Sequence, residues 1–203
     1  MKAILSFVFA LGLLLGPAQV AAADEADWPC IQRKVPQVSA GMVWAGPDVE
    51  SVEEDWRADQ EVALLARRIS ARSLPIEDAQ KLIESYAATL KDQKDRKLTM
   101  LFAATLATIN GDRGSIIEGI GRYTRRQQSL AERIQKQTSE LNRLPVNGSA
   151  QDEARRRELE ERLTWDTRIF EERERSLAYV CEQPVILEQR LFALSREIMK
   201  HLE

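Results

Sequence analysis

Two stretches of heptad spacing, separated by one short turn, constrain the fold of this chain more than any other feature. In the first stretch, steps of four and three connect Ile116, Ile120, Tyr123, Gln127, Leu130, Ile134, Gln137, Leu141 and Leu144. In the second, the same steps connect Leu159, Leu163, Asp166, Phe170, Arg173, Leu177 and Val180. This spacing is typical of helices that pack side by side along a seam. The intervening residues 145–149 include a proline and a glycine and predict a turn. We therefore expect an antiparallel coiled-coil hairpin over residues 114–183.

Folding this hairpin about Asn147 predicts which side chains meet across the seam. Tyr123 is expected near Phe170, and Gln127 near Asp166. A polar pair inside a seam usually fixes the register of the two helices, at some cost in stability. Binding of a partner is the alternative role, and these four residues are the candidate interaction residues of the hairpin.

The rest of the chain also has helical patterns. Amphipathic spacing predicts helices at about 50–72 and 75–91, and a third at 95–110 that is apolar nearly all round and hence central. The sequence Asn110-Gly111-Asp112 indicates a helix stop, with a kinked continuous helix as the alternative. Pro184 is expected to interrupt the chain before a last helix at about 185–202. The predicted fold is an all-α bundle of five to six helices with a long hairpin.

Residues 1–23 have the features of a secretory signal peptide. Lys2 precedes an apolar run, and the small residues 21–23 predict cleavage before Asp24. No lipid-attachment cysteine follows the apolar run, so we expect no membrane anchor after cleavage. The chain is predicted to be periplasmic or secreted.

Cys30 and Cys181 are the only cysteines of the chain. An exported protein with an even cysteine count most simply pairs them, so a structural disulfide is predicted. In the hairpin, Cys181 falls opposite residue 113, which places the bridge at the hairpin base.

Between the signal peptide and the helices lies an arm, residues 24–48, that contains three prolines. Its apolar content is too high for a floating linker, so it is expected to lie extended on the helical domain, residues 49–203. As the alternative, Trp28 and Trp44 form a patch that binds a partner.

Composition and motifs exclude several classes of function. His201 is the sole histidine, so histidine-based catalytic triads and histidine zinc sites are not available. We expect no catalytic residues, no metal site and no cofactor. After cleavage the chain has 28 Lys and Arg (29 minus Lys2) against 32 Asp and Glu, a formal net charge of −4. This acidic balance argues against a nucleic-acid partner.

Two functional hypotheses remain. The favoured one is a non-enzymatic exported interaction protein, such as a periplasmic adaptor, assembly factor or chaperone-like component. It would use its hairpin to bind an envelope protein or a second copy. The alternative is a protein that binds a small apolar ligand, or an accessory or sensory subunit of an envelope complex. Its candidate lining residues are Trp44, Trp56, Tyr86, Phe102 and Trp165.

Overall fold

The computed structural model describes residues 27–203, so the predicted signal peptide and its cleavage site lie outside the described residues. The elements are α1 (Ala40–Val43), a short 3₁₀ helix (Glu50–Val52), α2 (Asp55–Ala58), α3 (Gln60–Ser70), α4 (Ile76–Thr89), α5 (Lys94–Arg143) and α6 (Ala150–Met199). No β-strand occurs in this described part of the chain. The all-α prediction is confirmed, and so is the hairpin of two long helices.

Helices α5 and α6 each span 50 residues and belong to two regions of the molecule. The first part of α5 and the last part of α6 pack with α3 and α4, and we call this region the body. The remaining parts pair with each other and form the hairpin.

The predicted helix stop at Asn110-Gly111-Asp112 is wrong, because α5 continues through it. A glycine inside a helix costs about 1 kcal/mol relative to alanine, which packing on both sides of the site can offset. Ile109 and Ile117 are buried on either side of the glycines. The alternative of a continuous helix is the one that the structure shows.

The predicted interruption at Pro184 is also wrong. Proline has no N–H to donate to the carbonyl of Val180, yet α6 runs through the buried Pro184 without a break. The turns of α6 that follow Pro184 are stabilised by packing into the core, because Leu187 and Leu191 are both fully buried. Tertiary contacts here override the local preference of the chain.

The core of the body is apolar and closely packed. Its largest fully buried side chains come from four helices: Ile69, Ile83, Leu98, Leu101, Phe102, Ile109, Leu187, Leu191, Leu194 and Ile198. The predicted central helix is confirmed as the first part of α5, where Leu98 to Thr105 are all buried.

The single helix predicted at 50–72 is instead three short elements. Asp59 separates α2 from α3 because its backbone is extended, with φ −87° and ψ 99°. Its side chain caps α3 by accepting a 3.1 Å hydrogen bond from the backbone N–H of Val62. An ion pair with Lys97 on α5 holds the pKa of this carboxyl below its usual value. The capping residue therefore also ties α3 to α5.

The hairpin projects from the body. Between Leu159 and Val180 on α6, covered side chains occur only at the predicted seam positions, and every other residue is exposed. One neighbouring helix can cover one such stripe, and a helix packed into a bundle would be covered more widely. Residues 121–143 of α5 extend about 35 Å at the usual rise of a helix.

Within residues 27–203, none of the helices combines the length and the apolarity that a bilayer crossing needs.

Candidate functional site

The base of the hairpin is held by the N-terminal arm, which docks on α5 and α6. The Asn110 side chain makes two hydrogen bonds of 2.9 Å with Val38: its Oδ1 accepts from the backbone N–H, and its Nδ2 donates to the carbonyl oxygen. Val38 is buried. The residue that the sequence pattern marks as a helix stop therefore binds the arm.

A disulfide and an ion pair continue this docking toward the hairpin. Cys30 is bonded to Cys181, with their Cα atoms 5.6 Å apart, which confirms the predicted pairing. Asp27 forms an ion pair with Arg125, farther along α5. The arm thus runs from the body up the first turns of the hairpin and is fixed covalently to α6.

Arg113 connects the arm with both long helices, and sequence reasoning missed it. Its side chain is buried, with Nε donating to the carbonyl of Pro184 at 3.2 Å and Nη2 donating to the carbonyl of Val35 at 3.3 Å. Glu188 lies 3.4 Å from the same Nη2. Burial lowers the pKa of the Arg113 guanidinium, and the Glu188 carboxylate partly opposes this shift. Only its position opposite Cys181 in the predicted hairpin, next to the expected disulfide, could have suggested this role.

The predicted seam residues lie in the seam, but their pairing is shifted by about one layer. Gln127 donates from Nε2 to the carbonyl of Phe170 at 2.8 Å, and the Tyr123 hydroxyl donates to the carbonyl of Arg173. The expected pairs of Tyr123 with Phe170 and of Gln127 with Asp166 are therefore wrong in register.

Asp166 bonds to a different part of α5. It accepts hydrogen bonds from Nε of Arg133 at 2.7 Å and from Nη2 of Arg133 at 2.8 Å. Gln137 adds a third, from Nε2, at 3.2 Å. These donors lower the pKa of Asp166, with Arg133 contributing most. The seam is closed by such polar contacts as much as by apolar ones.

The turn of the hairpin is closed by a capping box. The Ser149 hydroxyl accepts from the backbone N–H of Asp152 at 3.3 Å, and the Asp152 carboxylate accepts from the backbone N–H of Ser149 at 2.8 Å. Arg156 donates to the carbonyls of Leu144 and Pro145, the two residues that follow α5. The turn is thus defined by local hydrogen bonds.

The aromatic candidates do not gather in one site. The Trp44 ring stacks on Phe102 with centroids 4.1 Å apart, so it packs against the core. Trp28 is part-buried at the hairpin base and donates from Nε1 to the Gln32 carbonyl at 2.6 Å. Tyr86 is buried in the body, whereas Trp165 is exposed on the hairpin. The residues proposed to line an apolar ligand cavity are therefore separated between two regions.

Among residues 27–203, no three His, Cys, Asp or Glu side chains gather closely enough to hold a metal ion. The protein is therefore all-α, with a projecting hairpin whose base is fixed by a disulfide bond. Comparisons with known protein families, with characterised proteins and with solved structures give no match.

Proposed function

We propose that this chain is a non-enzymatic exported interaction protein that binds its partner with the hairpin. The observation that carries the proposal is the narrow covered stripe of the hairpin. Between Leu159 and Val180, every residue of α6 outside the seven seam positions is exposed, and no other element of the described chain packs on these residues. Holding an extended, solvated hairpin costs conformational entropy, and a recognition surface explains why the chain retains it.

The anchored base supports the same proposal. Continuous helices, the Cys30–Cys181 bridge and the buried Arg113 all fix the hairpin relative to the body. A flexible tether would need none of these contacts. A fixed direction lowers the entropy lost on binding, which is the benefit of preorganisation. An adaptor or assembly factor that positions a partner would use this rigidity.

We further propose a periplasmic or secreted location. The disulfide is compatible with an oxidising compartment, and the sequence of residues 1–23 is typical of a signal peptide. The partner is then another exported protein or an envelope component, and neither nucleic acid nor a cofactor takes part.

Crosslinking from single positions tests the proposal. A photo-crosslinking amino acid is placed at the exposed residues Ser129 or Ser176 on the hairpin, and at Leu64 on the body, which is 51% exposed. In living cells of the source organism, we expect the hairpin positions to give discrete crosslinked species and the body position to give none. Crosslinks from Leu64 with none from either hairpin position would contradict the proposal.

A shortened hairpin gives the second test. Removing residues 127–140 and 156–169 takes two heptads from each helix and leaves the seam, the turn and the Ser149 cap in phase. The pairs Gln127–Phe170 and Glu140–Arg155 mark the two ends of the removed block. With the photo-crosslinking amino acid at Ser176, which is exposed and lies outside both removed segments, we expect the variant to keep the near-ultraviolet circular dichroism of the body and to lose the crosslinked partner. Full retention of the partner by the folded variant would refute the role of the hairpin.

A further inference from the structure

The two flanks of the hairpin, on either side of the seam, differ in chemistry. We define the basic-aromatic flank by one row on each helix, each with steps of four and three. The α5 row is Arg122, Arg126, Ser129, Arg133 and Lys136, and the α6 row is Trp165, Ile169, Glu172, Ser176 and Tyr179. All ten residues are exposed. Each row spans about 21 Å at the helical rise.

A groove in two sections follows the α5 row and reaches the α6 row at Trp165. Its inner section, with a volume of about 450 Å³, is lined by Arg122, Arg125, Arg126, Ser129, Leu130, Arg133 and Arg173. Its outer section, of about 410 Å³, is lined by Arg133, Gln137, Glu161, Arg162, Trp165 and Asp166. Arg133 lines both sections, so the two sections adjoin at this residue.

The cations of this flank are only partly neutralised. Asp166 binds Arg133, and the contact of Glu118 with Arg122, at 3.5 Å, joins two side chains that are both more than half exposed. Among the described residues, the side chains of Arg126 and Lys136 make no hydrogen bond or ion pair. Between residues 119 and 139, α5 has five basic residues and one acidic residue. The groove therefore has an excess of positive charge.

Large apolar side chains border this charge. Trp165 is 64% exposed and Tyr179 is 68% exposed, and Ile169 lies between them in the same row. Exposed aromatic residues in a row are typical of binding surfaces, since burying them against a partner releases water.

The opposite flank, which we call the polar flank, has the same spacing and none of these features. Its α5 row is Thr124, Gln128, Ala131, Gln135 and Thr138, and its α6 row is Glu160, Thr164, Thr167, Glu171 and Glu174. These rows contain no lysine, no arginine and no large apolar residue. One hairpin thus provides both a candidate surface and an internal control.

We propose that the basic-aromatic flank is the docking surface of the hairpin and that its occupant is an acidic amphipathic helix of a partner protein. This inference rests on the proposed function and specifies its surface and the chemistry of its partner. The helix lies along the groove, with its apolar side chains on Trp165, Ile169 and Tyr179. Its carboxylates face the guanidinium and ammonium groups of the α5 row, which form charge-assisted hydrogen bonds with them. The result is a three-helix coil over about four turns.

The shape and charge of the flank favour this occupant over others. A single phosphate group would use only one or two of the cations, and it would leave the aromatic row uncovered. A second copy could offer the three glutamates of its polar flank, but that flank has no large apolar side chain to cover Trp165. Two parallel rows about 21 Å long, one with four cations and one with three large apolar side chains, match the two faces of an amphipathic helix.

Binding of a designed peptide tests the inference. The probe is a fluorescently labelled 21-residue helix of about three heptads with Leu at the seam positions and Glu at the flanking positions. Anisotropy is measured with the full mature protein at about 0.15 M salt, where the Debye length is about 8 Å. We expect saturable binding, and binding at least tenfold weaker for a peptide with Lys in place of every Glu.

Matched variants place the site on one flank. Arg126→Gln with Lys136→Gln lowers the net charge by two, and so does Gln128→Glu with Gln135→Glu on the polar flank of the same helix. We expect the first pair to weaken peptide binding about tenfold and the second pair to change it less than twofold. Likewise, Trp165→Ala should weaken binding about fivefold, whereas Thr164→Ala should not. Equal losses from the two flanks would overturn the inference.

The remaining outcomes separate this inference from the proposed function. If the acidic peptide does not bind, but position 176 still crosslinks to a partner in cells, then the inference is wrong and the hairpin remains the binding element. If the protein binds vesicles of phosphatidylglycerol and phosphatidylcholine, mixed three to seven, and not the peptide, then a lipid surface replaces the helix and the inference is wrong. Crosslinks from the body alone would overturn both proposals.

Discussion

The body and the hairpin are built from the same two helices, yet they are stabilised in different ways. In the body, α5 buries Leu98, Leu101 and Phe102 completely, against several neighbours. In the hairpin, the same helix has a single covered stripe in which Gln127 and Gln137 alternate with leucine and isoleucine. A helix in water without a broad apolar contact is marginal. The hairpin therefore depends on the body and its base, and the body does not depend on the hairpin.

The largest effect is expected in the body core. Phe102→Ala removes a fully buried ring that stacks on Trp44, and the lost burial and the cavity should lower the free energy of unfolding by about 3–5 kcal/mol. Urea denaturation followed by tryptophan fluorescence measures the loss. A change below 1 kcal/mol would contradict the described core.

The matched change in the hairpin should act locally. Leu130 is buried in the seam, so Leu130→Ala should open the hairpin, while the fluorescence transition of the body stays within about 0.5 kcal/mol of wild type. Hydrogen exchange should increase in the two halves of the hairpin, residues 120–143 and 150–177, and not in the body. If the body transition shifts as much as it does in Phe102→Ala, the two regions form one cooperative unit and the comparison fails.

The next largest loss of stability is expected when the disulfide is removed. Cys30 and Cys181 are 151 residues apart, so chain entropy gives an upper limit of about 5 kcal/mol for the bridge, and native disulfides typically contribute about 2–5 kcal/mol. Replacing both cysteines by serine should release the arm and increase exchange in residues 27–38. Thiol titration of the unfolded, unreduced wild-type protein should find no free thiol, and two free thiols would contradict the bridge.

Replacing Arg113, which lies where the body meets the hairpin, should cost less stability than removing the disulfide. Arg113→Met leaves the carbonyls of Val35 and Pro184 without this donor, which should cost about 1–3 kcal/mol. Arg126→Met is the control, because Arg126 is exposed on the same helix and should change stability by less than about 0.5 kcal/mol. Equal effects would show that the buried contacts of Arg113 contribute nothing.

Replacing either of two glycines by alanine should give the smallest changes in stability, and the two changes should have opposite signs. A Cβ added at Gly111 meets no atom within 4 Å, so Gly111→Ala should raise stability by up to about 1 kcal/mol. A Cβ at Gly148 would lie 2.6 Å from Cβ of Asp152, so Gly148→Ala should disturb the Ser149 capping box and lower the stability of the hairpin tip by about 1 kcal/mol. A thermal melt measures the shift for Gly111→Ala, and hydrogen exchange of residues 144–156 measures the shift for Gly148→Ala; shifts of the same sign would contradict this assignment.

Sequence patterns predicted the features that repeat along a helix. The heptad steps placed the seam correctly on both long helices, and the cysteine count predicted the bridge. The errors concern single residues that have two roles. Asn110 and Pro184 are local stop signals, but in the structure the first binds Val38 and the second is buried within a continuous helix. Local propensity is a weak prior wherever long-range contacts of this kind exist.

The candidate surface was only partly predictable. Periodicity identified Tyr123, Gln127, Asp166 and Phe170, which all lie in the seam and hold the hairpin together. The residues that we propose for docking lie beside the seam, where a pattern of burial carries no signal. Only the observation that no other helix covers the hairpin makes these exposed rows informative. The register error has a similar origin, because seven-residue spacing alone does not fix which layers meet.

Hydrogen exchange along α5 and α6 tests the central claim, that each helix belongs to a stable body at one end and to a free-standing hairpin at the other. In the wild-type protein, amides of residues 98–109 and 187–198 should exchange only through global unfolding. Amides of residues 127–143 and 150–170 should exchange through local opening, at rates faster by at least about a hundredfold. Uniform protection along both helices, measured on a monomeric sample, would contradict the account.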